Sequence, residues 1–93
     1  MKLLVVEDEE MLSKSIAKGL EILGYAVDCA YNGEEALYLY ELNEYDLMVL
    51  DLNLPKLDGM EVLRQIRKKD EEFRVLILSA RNSLEDKISG LDS

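Results

Sequence analysis

With 93 residues, the chain has room for one small domain, which must use nearly all of its apolar runs to bury surface. At 48% hydrophobic and 33% charged, with one proline and five glycines, the composition is globular and excludes a disordered chain. Eleven basic against twenty acidic residues leave a formal charge of −9, which opposes a grip on nucleic acid or an anionic membrane through this surface.

Lys2–Glu7 (KLLVVE) is apolar without alternation, the pattern of a strand covered on both faces. A helix is predicted from Glu9 to Leu23, with Leu12, Ile16, Leu20 and Leu23 as its inward stripe and Gly24 as its stop. The acidic residues Asp8, Glu9 and Glu10 suit the positive end of its dipole. Tyr25–Ala30 alternates, with Val27 and Cys29 on one side and Ala26 and Asp28 on the other, which places this strand at a sheet edge. Asn32 and Glu35 form a capping box for a helix through Asn43, with Ala36, Leu37 and Tyr40 inward. Asp46–Asp51 (DLMVLD) is a second covered strand. Asp58 and Glu61 suggest another capping box, opening a helix to Lys69 lined by Met60, Leu63 and Ile66. Arg74–Ala80 (RVLILSA) is a third covered strand, and Ser83 with Asp86 caps a last helix carrying Leu84, Ile88 and Leu91.

These are four βα units of roughly 23 residues each. Strands alternating with helices make a parallel sheet with helices on both faces. No linker, repeat or second domain is visible. Strand four is as apolar as strands one and three, yet no predicted element covers its outer edge. Folded proteins avoid such an edge, so a partner molecule pairing with strand four, or a further segment, is expected to complete the sheet.

The sequence has no histidine and a single cysteine, Cys29. Histidine-based catalysis, histidine-bound zinc, an intrachain disulfide and a thiolate cluster are thereby excluded, and the cysteine count fits a reducing, cytoplasmic setting. Apolar runs such as Leu3–Val6 and Val75–Leu78 are four residues long, too short to span a membrane.

In an open parallel sheet, ligands bind beyond the carboxyl ends of the strands. Strand one ends in Glu7-Asp8, strand three in Asp51 and strand four in Ser79-Ala80. If strands one, three and four are neighbours, three carboxylates and one hydroxyl converge. Taken singly, each has a plainer role: Asp8 as a helix cap, Asp51 as an Asx-turn residue before Asn53 and Pro55, Ser79 as a small residue at a strand end. Together they define an oxygen-rich crevice that needs a cation, and Mg²⁺ suits such ligands. A metal-loaded crevice of this kind accepts phosphoryl oxygens, and Asp51 is placed to act as a carboxylate nucleophile forming an aspartyl phosphate.

The segments Val5–Glu9 (VVEDE), Asp51–Gly59 (DLNLPKLDG) and Leu76–Ala80 (LILSA) resemble the receiver domain of two-component response regulators. The resemblance covers the whole chain and implies a flavodoxin-like, doubly wound α/β fold. It implies Asp51 as phosphoacceptor, Asp8 as a direct Mg²⁺ ligand, Glu7 acting through metal-bound water, and Asn53 offering its backbone carbonyl. Ser79 is implied as the switch hydroxyl, with Ala80 leaving it room, and Pro55 and Gly59 as shaping the loop. The implied phosphodonor is a sensor histidine kinase, and the role is that of a signalling domain rather than a turnover enzyme. An aspartyl-phosphate enzyme needs a second acid two residues after the nucleophile, where Asn53 stands.

The family's fifth βα unit, with its phosphate-binding lysine, has no counterpart in the chain; Lys56, Lys68 and Lys69 do not match that lysine in position. The chain is therefore expected to be a receiver incomplete at its C-terminus, associating through its strand-four edge. The Leu-Asn-Leu-Pro stretch and Leu84–Leu91 resemble most the branch with a C-terminal winged-helix DNA-binding domain, which implies transcriptional control without DNA contact from these residues.

Overall fold

The computed structural model describes residues 1–78. Four strands and three helices alternate along them: β1 (Lys2–Val6), α1 (Glu10–Ile22), β2 (Ala26–Ala30), α2 (Gly33–Leu42), β3 (Leu47–Asp51), α3 (Gly59–Lys69) and β4 (Val75–Leu78). All strand pairs are parallel, in the order β2-β1-β3-β4. The alternating strand Tyr25–Ala30 does lie at the edge, and the two central strands are the non-alternating ones, covered on both faces. The last predicted helix, with Ser83, Leu84, Ile88 and Leu91, lies outside the described residues, as do Ser79 and Ala80.

The sheet's two faces are served differently. Leu4, Val6, Met48 and Leu50 pack with Ala36 of α2, Val62 and Ile66 of α3, and Phe73 in one buried cluster. By the two-residue period of a strand, Leu3, Val5 and Val49 face the other way. Right-handed crossovers put α1 on that second face, because β1 leads outward to β2 while the later units lead back across the sheet.

Three predicted details are corrected. In α1 the buried residues are Ser13 and Ala17, while Leu12 is 45% and Leu23 70% exposed. The side chains of Leu3 and Val5 already fill the space beneath, so the helix rests on small residues one turn apart, with Ile16 and Leu20 half-buried. In α3 the inward stripe is Gly59, Val62 and Ile66, and Met60 lies on the exposed side. Strand β4 is not covered on both faces. Leu76 is 54% and Leu78 41% exposed, because helices among the described residues cover only the side holding Val75 and Ile77.

The ends of the helices follow local chemistry. The Gly24 amide donates to the Glu21 carbonyl and the Tyr25 amide to the Leu20 carbonyl, with Gly24 at φ 98°. This is a Schellman stop, which needs a left-handed residue and so favours glycine. Asn32 Oδ1 accepts from the Glu35 amide at 2.8 Å, and Glu35 Oε1 accepts in return from the Tyr31 amide at 2.9 Å. At α3, Asp58 Oδ1 accepts from the Met60 amide, whereas Glu61 does not close the expected box; its carboxylate is engaged by Arg64 and Gln65.

Candidate metal centre

The strand order turns back between β1 and β3: the chain leaves β1 toward β2 and leaves β3 toward β4. The loops after these two strands therefore part to opposite faces and leave a crevice at their carboxyl ends. Glu7 and Asp8 follow β1, and Asp51 is the last residue of β3. Carboxylate oxygens of Glu7, Asp8 and Asp51 all come within 4.8 Å of one another. The convergence expected from the sequence is thus realised for these three. Asn53, by contrast, is exposed one turn of loop away, and Pro55 is exposed farther along the same loop.

Two of the three acids are buried, Glu7 at 8% and Asp51 at 7% exposure. Each has one oxygen held by a backbone amide two residues on: Glu9 N–H donates to Glu7 Oε2 at 3.0 Å, and Asn53 N–H to Asp51 Oδ1 at 3.0 Å. The Asx turn at Asp51 and its place in the acidic cluster therefore coexist, since the turn uses one oxygen and leaves the other. Asp8 does not cap α1; Glu9 does, accepting from the Leu12 amide at 3.0 Å, which leaves the Asp8 carboxylate to the crevice. Burial first, then the neighbouring Asp8 and Asp51 carboxyls, push the Glu7 carboxyl up to about 7, against the lowering effect of the Glu9 amide. No lysine or arginine among the described residues pairs with any of the three.

Like charges drawn this close, two of them buried and without a basic partner among the described residues, could together hold a hard divalent cation. Hard oxygen donors with room for water ligands fit Mg²⁺.

The loop after β3 is shaped by backbone packing that spacing alone does not reveal. Lys56 has φ 66°, and the Leu57 amide donates to the Pro55 carbonyl at 2.8 Å, closing a tight three-residue turn. Gly33 is buried at the start of α2, where a Cβ would stand 2.3 Å from the Leu57 carbonyl oxygen. No sequence signal links these two positions. Gly59 donates its amide to the Leu52 carbonyl at 3.2 Å, and a Cβ there would meet the Asp51 carbonyl oxygen at 2.5 Å and Leu52 Cα at 2.6 Å. Both contacts are backbone, so nothing swings aside. Gly59→Ala is expected to cost about 3 kcal/mol in urea unfolding, at the upper end of overpacking penalties. The solvent-side Gly19, with nothing within 4 Å of its Cβ position, is the control; Gly19→Ala should stabilise α1 by about 0.5–1 kcal/mol.

The response regulator receiver domain family matches residues 3–93, and the chain belongs to that family. Response regulator MprA of Mycobacterium avium is 39% identical over 93 residues, a match covering all of this chain and 41% of that protein. The chain thus spans about two fifths of the length of the curated relatives it matches. The receiver domain of Francisella response regulator 1452 is 40% identical and superposes with a TM-score of 0.83, over 98% of this chain and 75% of that one. TrrA of Thermotoga maritima, solved in complex with Mg²⁺-BeF, is 35% identical with a TM-score of 0.84, over 99% of this chain and 80% of its own. TrrA has also been crystallised in complex with the histidine kinase ThkA. The flavodoxin-like receiver fold read from the sequence therefore stands, and with it a signalling rather than a turnover role.

Proposed function

We propose that the crevice is a Mg²⁺-dependent phosphoacceptor site and that Asp51 receives the phosphoryl group from a sensor histidine kinase. The observation that carries this reading is the convergence of Glu7, Asp8 and Asp51 within 4.8 Å at the switch point of the sheet. Of the three, Asp51 is the one that lies within a strand, as the last residue of β3, with one oxygen anchored by the Asn53 amide and the other free of that bond. The free oxygen forms the bond to phosphorus as the donor's bond to phosphorus breaks, the bonding pair leaving with the donor atom. Asp8, Asp51 and the Asn53 carbonyl would hold the metal, with Glu7 assisting through water; Mg²⁺, when bound, would supply charge neutralisation for the carboxylates and the incoming phosphoryl oxygens. Ser79 serves as the hydroxyl that contacts the new phosphoryl group, beside the small Ala80, and Pro55 and Gly59 hold the loop. TrrA, a relative that takes Mg²⁺-BeF and a histidine kinase, supports both the metal and the donor class.

The test is intact mass after incubation with acetyl phosphate, with and without Mg²⁺. One phosphoryl adduct that requires the metal supports the reading; no adduct on a folded chain overturns it. The downstream role is control of transcription through a DNA-binding domain outside these residues, in a cytoplasmic protein. No helix among the described residues is long and apolar enough to cross a membrane.

The same reading includes self-association through β4. Its outer edge has no strand partner among the described residues, and Leu76 and Leu78 are exposed beside it. Open strand edges with apolar side chains recruit a second copy. Sedimentation of the 93-residue chain should show dimers or larger species that dissociate in Leu76→Lys, and a monomer at millimolar concentration refutes the contact.

A further inference from the structure

At the opposite end of the sheet from the acidic crevice lies a second concavity, of about 520 Å³. It sits where the carboxyl ends of α2 and α3 meet, before the first residues of β3 and β4. β3 separates it from Asp51 by five residues, roughly 16 Å of extended chain. The receiver chemistry makes no use of it.

Its floor is aromatic. Tyr40 and Phe73 meet edge to face with ring centroids 5.1 Å apart, and Tyr45 and Phe73 are each 8% exposed. Its rim is acidic: Glu41, Glu44, Asp46 and Asp70 line it, against Lys69 as the one lining cation, which is already paired with Glu41. Asp46 and Asp70 each give one oxygen to a backbone amide, of Lys2 and Glu72, and keep the other. The end of α2 adds its own partial negative charge, with no basic residue in its last turn to offset it. Two nearby cations outside the lining, Lys2 and Arg67, are already engaged. Lys2 is held by Asn43 Oδ1 at 3.2 Å and Asp28 at 3.5 Å, and Arg67 donates to the Phe73 carbonyl. Lys2 also shows what this corner attracts, since its ammonium lies 5.4 Å from the Tyr45 ring centroid.

We propose that this cavity binds an organic cation, a guanidinium group on a short apolar stem, with the stem on Tyr40 and Phe73 and the charge between Glu44 and Asp70. The volume is that of a small-ligand site, and an apolar floor with a few convergent acids is the combination that orients such a group. Aromatic rings favour a weakly hydrated planar cation over a small, strongly hydrated metal ion, and the carboxylates favour it over a neutral isostere. The group could be carried by a free small molecule or by an arginine side chain of a partner protein.

The experiment is an NMR titration of the ¹⁵N-labelled full chain with n-butylguanidinium, its neutral isostere n-butylurea, and a blocked peptide with one arginine among glycines. The expected result is saturable shifts confined to Tyr40, Glu44, Tyr45, Asp70 and Phe73 with the cation and none with the urea. Binding weakens at least tenfold in Glu44→Gln with Asp70→Asn, two exposed positions, while the resonances around Asp51 keep their places. A peptide at least tenfold tighter than n-butylguanidinium assigns the site to a partner's arginine; equal affinities assign it to a free guanidine. Linear shifts spread over the acidic surface, equal binding of the urea, or wild-type affinity in the double variant each overturn the proposal.

Discussion

Asp51→Asn is expected to abolish the acetyl phosphate adduct completely while leaving the chain folded. The amide is isosteric with the carboxylate, and its oxygen can still accept from the Asn53 amide that now holds Asp51 Oδ1 at 3.0 Å. What it loses is the anionic oxygen that must attack phosphorus, and no neighbouring acid can replace it. Asp8 is exposed and lies after the end of β1, and Glu7 carries a carboxyl raised to about 7, hence partly protonated at neutral pH. The substitution also removes one of three crowded carboxylates, so the metal-free variant should unfold at a higher urea concentration than the wild type. The two readouts together exclude a folding defect: loss of the adduct with gain of stability. An adduct that persists in Asp51→Asn would move the phosphoacceptor to another residue. Asp8→Asn gives the complementary result, an adduct that forms slowly and responds little to Mg²⁺.

Much of this was legible from residue order alone, for a physical reason. A strand's side chains obey a two-residue period, so the non-alternating runs Leu3–Val6 and Leu47–Leu50 read as central and the alternating Ala26–Ala30 as an edge, although the same rule misread Val75–Leu78, which is exposed on one face. Once that order is granted, handedness places the ends of β1 and β3 side by side, and the acids that close those strands must meet. Helix phase was less legible. The leucines of α1 look like an inward stripe, but Ser13 and Ala17 are what the sheet tolerates beneath the helix. In α3, Met60 and Leu63 competed with Val62 for the same face, and the capped start at Asp58 together with the close approach of Gly59 to Asp51 decided it. Contacts between distant segments left no local trace at all. Gly33 against Leu57 is one, and the aromatic floor assembled from Tyr40, Tyr45 and Phe73 is another. Nor does the order of residues show that Glu7 and Asp51 are buried while Asp8 is exposed, because exposure is set by the whole sheet.

That burial has a measurable consequence for stability. The Glu7 carboxyl goes from 4.5 in an ordinary setting to about 7 in the fold, so between those pH values the folded chain holds a proton that the unfolded chain has released. Stability from this group is fully present below pH 4.5 and is lost as pH rises through 7. The whole span is worth on the order of 3 kcal/mol. The metal-free protein should therefore unfold more easily at pH 8 than at pH 5.5, opposite to the trend of a salt-bridged carboxylate. Saturating Mg²⁺ flattens the slope, since a cation among Glu7, Asp8 and Asp51 favours their ionised forms and displaces the proton. Its stabilising effect should thus grow from pH 5.5 to pH 8, with affinity falling toward tenfold per pH unit below 7. Glu7→Gln carries no titrating group at that position, so its metal-free unfolding midpoint should be nearly flat over the same range. Urea unfolding of both proteins at several pH values, with and without Mg²⁺, decides the matter. An unchanged slope in Glu7→Gln would assign the proton to another carboxyl and remove Glu7 from the account. A slope that vanishes there, and in wild type with Mg²⁺, identifies the crowded carboxylates as a store of free energy that the metal releases, which makes metal loading and folding stability of this domain one coupled equilibrium.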